Sequence, residues 1–220
     1  MKIYGVAIQG AGNVSTEHIK AYVNNPHTEV VAIGSRTQEG ALDKMKEMEL
    51  SCDIYDDYDE MLQNEKVDII SICTPSERHS IETIKAAEAG KHILVEKPIA
   101  TDLDELRAMR DAVRAAKVKT VVGFVLRWNP LFDCIRNNQL ASWKFPGQTT
   151  FTTIPTIVPD SGAVSHHPFQ GEIDHLVECI LNDVESHCNL EDAVNTHEAC
   201  FAAEMSAERD GEKVKLPLLE

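Results

Sequence analysis

Two hydrophobic periods alternate along the first 126 residues. Short apolar runs recur at 3–8, 29–34, 52–55, 67–73, 92–95 and 120–126, each compact enough for one strand. The run at 67–73 is apolar almost throughout, as a parallel strand buried on both faces should be. Between the runs, apolar residues return every three or four positions. Ile19 and Val23 mark a helix over 16–24, and Leu42, Met45 and Met48 mark another over 38–50. A helical turn is expected at 58–62. Ser76 can cap a helix running to residue 89, where Gly90 stops it. Thr101 and Asp104 resemble a capping box for a helix to residue 116, with Leu103, Leu106 and Val113 inward. Strands alternating with helices at this spacing predict a doubly wound α/β fold, and right-handed crossovers give the strand order 3-2-1-4-5-6.

The first turn of this pattern carries chemistry. The strand ends in Gln9-Gly10-Ala11-Gly12-Asn13-Val14-Ser15 and a helix follows. Gly10 permits a tight turn. Gly12 leaves the backbone open to a pyrophosphate, and the helix N-terminus offers free N–H groups and a positive dipole end. Ser15, a small residue, stands at the third glycine position of the dinucleotide fingerprint. Ligands in such sheets lie outside the carboxyl ends of the strands, here residues 34–37, 73–76, 96–98 and 127–130. An NAD site usually has Asp or Glu after the second strand, whereas this chain has Ser35, Arg36 and Thr37. A guanidinium can pair with a 2′-phosphate, which favours NADP over NAD.

Beyond residue 126 the pattern changes. Residues 131–140 suit a helix. Residues 145–169 are rich in Thr, Ser, Pro and Gly, with room for one strand near 149–154. Two helices close the chain. Ile173, Leu176, Val177, Ile180 and Leu181 form the apolar stripe of the first, and Asn189 can cap the second. Residues 214–216 suit a short strand or a tail. This divides the chain into a Rossmann domain, 1–126, and a shortened C-terminal α+β domain, 127–220.

The chain has 220 residues and a formal net charge of −15, of which residues 171–220 contribute −10. That balance argues against nucleic acid, whose phosphates need a basic surface. No apolar run is long enough to span a bilayer, and the first strand starts at Ile3, so a cytoplasmic protein is expected. None of the six cysteines forms a Cys-x-x-Cys pair, so reduced thiols are expected. His175 with Cys179 and His197 with Cys200 could supply four zinc ligands. Neither pair has zinc-finger spacing, so both read as ordinary helix residues and no metal is assigned.

Four segments together resemble the Gfo/Idh/MocA oxidoreductases. They are Gly10-Ala11-Gly12-Asn13, Cys73-Thr74-Pro75 with His79, Glu96-Lys97-Pro98-Ile99 and Arg127-Trp128-Asn129-Pro130. The closing stretch, from His167-Pro168-Phe169 to Pro217, looks like the end of that family. The resemblance implies an NADP- or NAD-dependent hydride transfer with a sugar, cyclitol or related polyol. It implies that Lys97 hydrogen-bonds the reacting hydroxyl and that Glu96 contacts the nicotinamide ribose. Pro98 would follow a cis peptide bond. Thr74, Pro75 and His79 would line the nucleotide groove, and Arg127 and Trp128 would lie beside the cofactor. It also implies a second domain whose sheet forms the substrate pocket and commonly a homo-oligomer interface. The glycine-rich segment ending in Asp-x-x-x-His, which supplies that family's proton acceptor, has no counterpart between residues 140 and 167. The one later spacing, Asp183 to His187, lacks the context. Two readings follow: an oxidoreductase of this type, or a dinucleotide-binding remnant without turnover.

Overall fold

The computed structural model describes residues 2–129 and 167–219, so the expected helix at 131–140 and strand at 149–154 lie outside the described residues. The strands are β1 (Tyr4–Gln9), β2 (Thr28–Gly34), β3 (Asp53–Tyr55), β4 (Ile69–Ile72), β5 (His92–Val95) and β6 (Thr120–Val122). They form one parallel sheet in the order β3-β2-β1-β4-β5-β6, as the crossover rule predicts. The intervening helices are α1 (Asn13–Asn24), α2 (Gln38–Glu47), α3 (Tyr58–Leu62), α4 (Ser76–Glu88) and α5 (Leu103–Ala116). A 3-10 helix, Val125–Trp128, follows β6. The chain closes with α6 (Phe169–Asn182) and α7 (Leu190–Glu208).

The sheet separates two apolar layers. One face packs Ala7, Ile70, Ile72, Ile93 and Val95 against α4, α5 and the start of α7. The other packs Val6, Ile8, Ile33, Ile69 and Leu94 against Ile19 and Tyr22 of α1 and Ile173, Leu176 and Val177 of α6. The closing helices therefore cover both faces of the sheet that the first 126 residues build. The apolar runs of β1 and β4 follow from this two-sided burial.

Local signals set the element ends, with several differences from expectation. Helix α1 begins at Asn13, directly after Gly12. Ser76 is the first residue of α4 rather than its cap; Pro75 takes the cap position with extended backbone and no side-chain bond. In α5 the cap is Asp102, whose carboxylate accepts from Glu105 N, while Thr101 N and Oγ1 donate to Glu105 Oε2. The two halves of a capping box are thus split between neighbours: Asp102 takes the Glu105 N–H, and the Glu105 side chain returns to Thr101. Asn189 caps α7 as expected, at 2.9 Å from Asp192 N. Strand β6 ends at Val122, because Phe124 N turns back to Val122 O and the 3-10 helix begins. Residues 214–216 form no strand. Five cysteines are free thiols, of which Cys73, Cys179 and Cys188 are buried; Cys134 lies outside the described residues.

The tightest point is the end of β1. Gly10 has φ +107°, and a Cβ there would stand 2.7 Å from the Cys73 carbonyl oxygen. Gly10→Ala should therefore destabilise the fold by about 2–4 kcal/mol, combining backbone strain with overpacking. Urea denaturation measures this; an unchanged midpoint would show that the turn can relax.

Candidate functional site

The turn from β1 into α1 opens the site. Gly10 N donates to Gly34 O at 2.8 Å, which ties the turn to β2. Gly12 is the N-cap of α1, and a Cβ built on it would meet nothing within 4 Å. No side chain caps this helix, and no acid lies in its first turn. Asn13 and Val14 thus begin α1 beside open space, with helix N–H groups lacking partners inside the helix. Ser15, at the third glycine position, is buried, and its Oγ donates to Gly12 O at 2.6 Å. A Cβ-sized opening at an uncapped, uncompensated helix N-terminus fits a pyrophosphate.

At the end of β2, Ser35 N donates to Tyr55 O. The Thr37 hydroxyl accepts from Gly40 N at 3.1 Å and caps α2, so it is committed to the fold. Arg36 is exposed between them. These three residues put no carboxylate at this edge.

Strands β4 and β5 end side by side. His79 is buried on α4 and joins their loops, with Nε2 2.7 Å from Thr74 O and Nδ1 2.7 Å from Pro98 O. Each contact is a donation when that nitrogen carries its proton. The Thr74 hydroxyl donates to buried Glu82, which also accepts from Gln9 Nε2 and Arg78 Nε, each at 2.8 Å. Pro75 is exposed at the head of α4. Glu96 is buried, with Oε1 3.0 Å from His18 Nε2. The Lys97–Pro98 peptide is cis, as expected. Lys97 is exposed, and among the described residues its side chain has no partner.

Arg127 and Trp128 stand in the 3-10 helix after β6. Arg127 Nη1 donates to His187 O at 2.9 Å and pairs with Asp192 at 2.7 Å. The Trp128 ring packs 5.7 Å from His175 and 5.5 Å from His187. These contacts hold the 3-10 helix to α6 and α7. The two His–Cys pairs are also separate. His175 Nε2 lies 3.0 Å from Ser186 Oγ and 3.5 Å from Cys179, whereas His197 accepts from Ile99 N at 3.1 Å.

Comparison with known proteins places this geometry. The model of the Gfo/Idh/MocA oxidoreductase family, NAD-binding Rossmann fold, matches residues 4–124. The chain belongs to this family. It is 33% identical over 127 residues to scyllo-inositol 2-dehydrogenase (NAD(+)) of Bacillus subtilis (strain 168), covering 57% of this chain and 37% of the relative. It is 35% identical over 172 residues to D-glucoside 3-dehydrogenase of Escherichia coli (strain K12), covering 76% of this chain and 48% of the relative. The chain thus spans less than half the length of these two relatives. A solved scyllo-inositol dehydrogenase from Lactobacillus casei, with NAD(H) and scyllo-inositol bound, superposes with a TM-score of 0.57. It covers 63% of this chain and 42% of that chain at 23% identity, a likeness of fold. No helix among the described residues is long and apolar enough to cross a membrane.

Beneath the family's Glu-Lys-Pro element lies a polar cluster that motif reading missed. His18 is fully buried, with Nδ1 2.8 Å from Ser71 Oγ and Nε2 on Glu96. Burial works against a charged imidazole, but the Cys73 thiol and the Glu96 carboxylate outweigh it and push His18 well above its ordinary value. Glu172 of α6 is also fully buried, and neither of its oxygens has a hydrogen-bond partner among the described residues. Burial pushes its carboxyl up to about 8; His18 opposes that rise and Glu96 adds to it. A periodic signal existed for both. Ser15, His18, Ile19 and Tyr22 share one face of α1, and Phe169, Glu172, Ile173 and Leu176 share one face of α6.

A carboxyl raised in the folded state gives stability that is full below the ordinary carboxylate range and lost as pH rises through the folded value. The contribution of Glu172 therefore fades between about pH 4.3 and 8. Glu172→Gln keeps the shape without the titration. It should match the unaltered protein near pH 5 and exceed its melting temperature by several degrees at pH 8.5. Parallel melting curves at the two pH values check this; a pH-independent difference would refute it.

Proposed function

We propose that the chain binds NADP(H) in preference to NAD(H) and serves hydride transfer with a sugar, cyclitol or related polyol. The observation that carries this reading is the opening at Gly12, set at an uncapped helix N-terminus on the same carboxyl edge of the parallel sheet as Glu96-Lys97-Pro98. Gly10, Gly12, Asn13 and Val14 would hold the pyrophosphate, and Ser35, Arg36 and Thr37 would face the adenosine ribose. Thr74, Pro75 and His79 would line the groove. Glu96 would orient the nicotinamide ribose, and Arg127 and Trp128 would lie beside the cofactor. The bound cofactor supplies the hydride acceptor or donor. Lys97, exposed and unpaired among the described residues, would hydrogen-bond the reacting hydroxyl and stabilise negative charge developing on its oxygen. A cytoplasmic setting and a homo-oligomer belong to the same reading, as does a division near residue 126.

Cofactor titration tests the binding half. Gly12→Val should abolish binding of both cofactors while the protein stays folded, since the side chain would fill the pyrophosphate's place. Arg36→Ala should weaken NADP(H) about tenfold and leave NAD(H) nearly unchanged, as expected for one lost charge-assisted bond to a 2′-phosphate. Equal losses for both cofactors would assign Arg36 to the adenine instead.

A second reading, a dinucleotide-binding unit without turnover, is favoured by the described histidines. Asp183, of the one Asp-x-x-x-His spacing after Lys97, pairs with Lys119, and His187 is packed among Trp128 and His175. Among the described residues no histidine hydrogen-bonds Lys97. Without a positioned general base the rate falls by about 10² to 10⁴. The 220-residue chain should therefore bind cofactor yet reduce it with polyols very slowly, and Lys97→Ala should change that rate little. Rapid polyol-dependent NADPH formation by protein of confirmed 24.4 kDa mass would overturn this.

A further inference from the structure

The polar cluster beneath the Glu-Lys-Pro element has one member without a bond. His18 bridges Ser71 on β4 and Glu96 at the end of β5, at 2.8 and 3.0 Å. When both ring nitrogens carry protons, both contacts are donations and the Glu96 carboxylate is fixed. Gly123 leaves room for that carboxylate, since a Cβ there would stand 3.0 Å from its Oε1. Helix α6 lies over this spot. The Phe169 ring is 5.2 Å from the His18 ring, and Glu172, one turn further along the same face, is buried with both oxygens unpartnered among the described residues. A buried orphan acid costs several kcal/mol when charged, so such a group persists chiefly as the neutral acid.

We propose that Glu172 is a positioning residue that carries a proton, and that losing this proton loosens Glu96 through His18 and weakens the grip on the nicotinamide half of the cofactor. This rests on the dinucleotide reading of the site. The ionisable groups facing Glu172 are few. Helix α1 presents His18 and Tyr22, whose hydroxyl is also without a partner among the described residues. The residue after β4 is Cys73, the residue after β5 is Glu96, and the segment before α7 presents buried Cys188, whose thiol donates to Val122 O at 3.4 Å. The described residues of β6 bring no charge, and in the 3-10 helix Arg127 is engaged by Asp192. Asp174 on α6 itself bonds to Asn25 and Gln170. A charged Glu172 would add a second anion beside Glu96 and compete with it for the one imidazolium. Glu96 would then lose its orientation, and the Lys97–Pro98 strand end with it.

The test follows two signals from pH 6.5 to 9.5 in the intact chain and in Glu172→Gln. One is NADPH affinity by fluorescence titration. The other is the imidazole resonances of His18, assigned by their loss in His18→Gln. In the unaltered protein both signals should move together in the mildly alkaline range, affinity falling about tenfold, as for one disrupted charge-assisted hydrogen bond. In Glu172→Gln both transitions should vanish while affinity at pH 7 stays within about twofold. Transitions that persist in Glu172→Gln overturn the inference, because another group then titrates. A His18 transition that depends on Glu172 without any change in affinity overturns its link to the cofactor. Failure of both proteins to bind NADPH at any pH instead refutes the dinucleotide reading, and the link to the cofactor with it.

Discussion

Where β1 ends, Gly10 lies so close to the Cys73 carbonyl that no side chain fits between them. The cleft depends on that approach. Strand β1 is the point at which the sheet order turns, with β2 on one side and β4 on the other. A chain leaving it must pass between the ends of both neighbours to begin α1 over the carboxyl edge. Gly10 makes the passage, bonded to Gly34 O on one side and pressed against Cys73 on the other. The result is an uncapped helix N-terminus at the crevice where such sheets take their ligands.

Around this turn the protein buries acids, and it compensates them unequally. Glu82 receives Gln9, Thr74 and Arg78, which locks the β1 end to the β4 loop. Gln9 in turn occupies the space that a side chain at residue 34 would need, so Gly34 is fixed by Gln9 rather than by its own backbone. Glu96 receives His18. Glu172 receives nothing among the described residues. Satisfied buried charges give rigidity, whereas an unsatisfied one is stable only by staying neutral. The two satisfied acids brace the cleft, and the third can respond to its surroundings.

The closing helices belong to this arrangement. Helix α6 supplies Phe169 and Glu172 to the His18 cluster, and Asp174 bonds to Asn25 at the end of α1. On the other face, His197 of α7 accepts from Ile99 N, one residue past the cis proline. Glu198 accepts from the backbone of Leu218 and Leu219 and pins the last described residues. Both ends of the Glu-Lys-Pro element are thus held from α6 and α7, which come from the far end of the chain. Arg127 and Trp128 tie the 3-10 helix to the same closing helices.

The sequence by itself determined the sheet. Strand periods, helix periods and right-handed crossover leave one strand order, and strand β5 and helix α3 lie where the pattern puts them. It also marked the glycine turn, because Gly10 takes a positive φ that favours glycine and Gly12 stands directly before the next helix. Patterns local to each segment sufficed for both. Tertiary structure decided what depends on which faces meet. The cap of α5 moved from Thr101 to Asp102, and β6 stopped at Val122 where the chain turns into the 3-10 helix. His18 and Glu96 are 78 residues apart and became bonded only when α1 was laid on β4 and β5. Glu172 stands just before the apolar stripe that begins at Ile173, and only the packing of α6 on His18 sealed it from water. Periodicity tells which side of a helix is buried, but the partner it is buried against is set by the packing of distant segments.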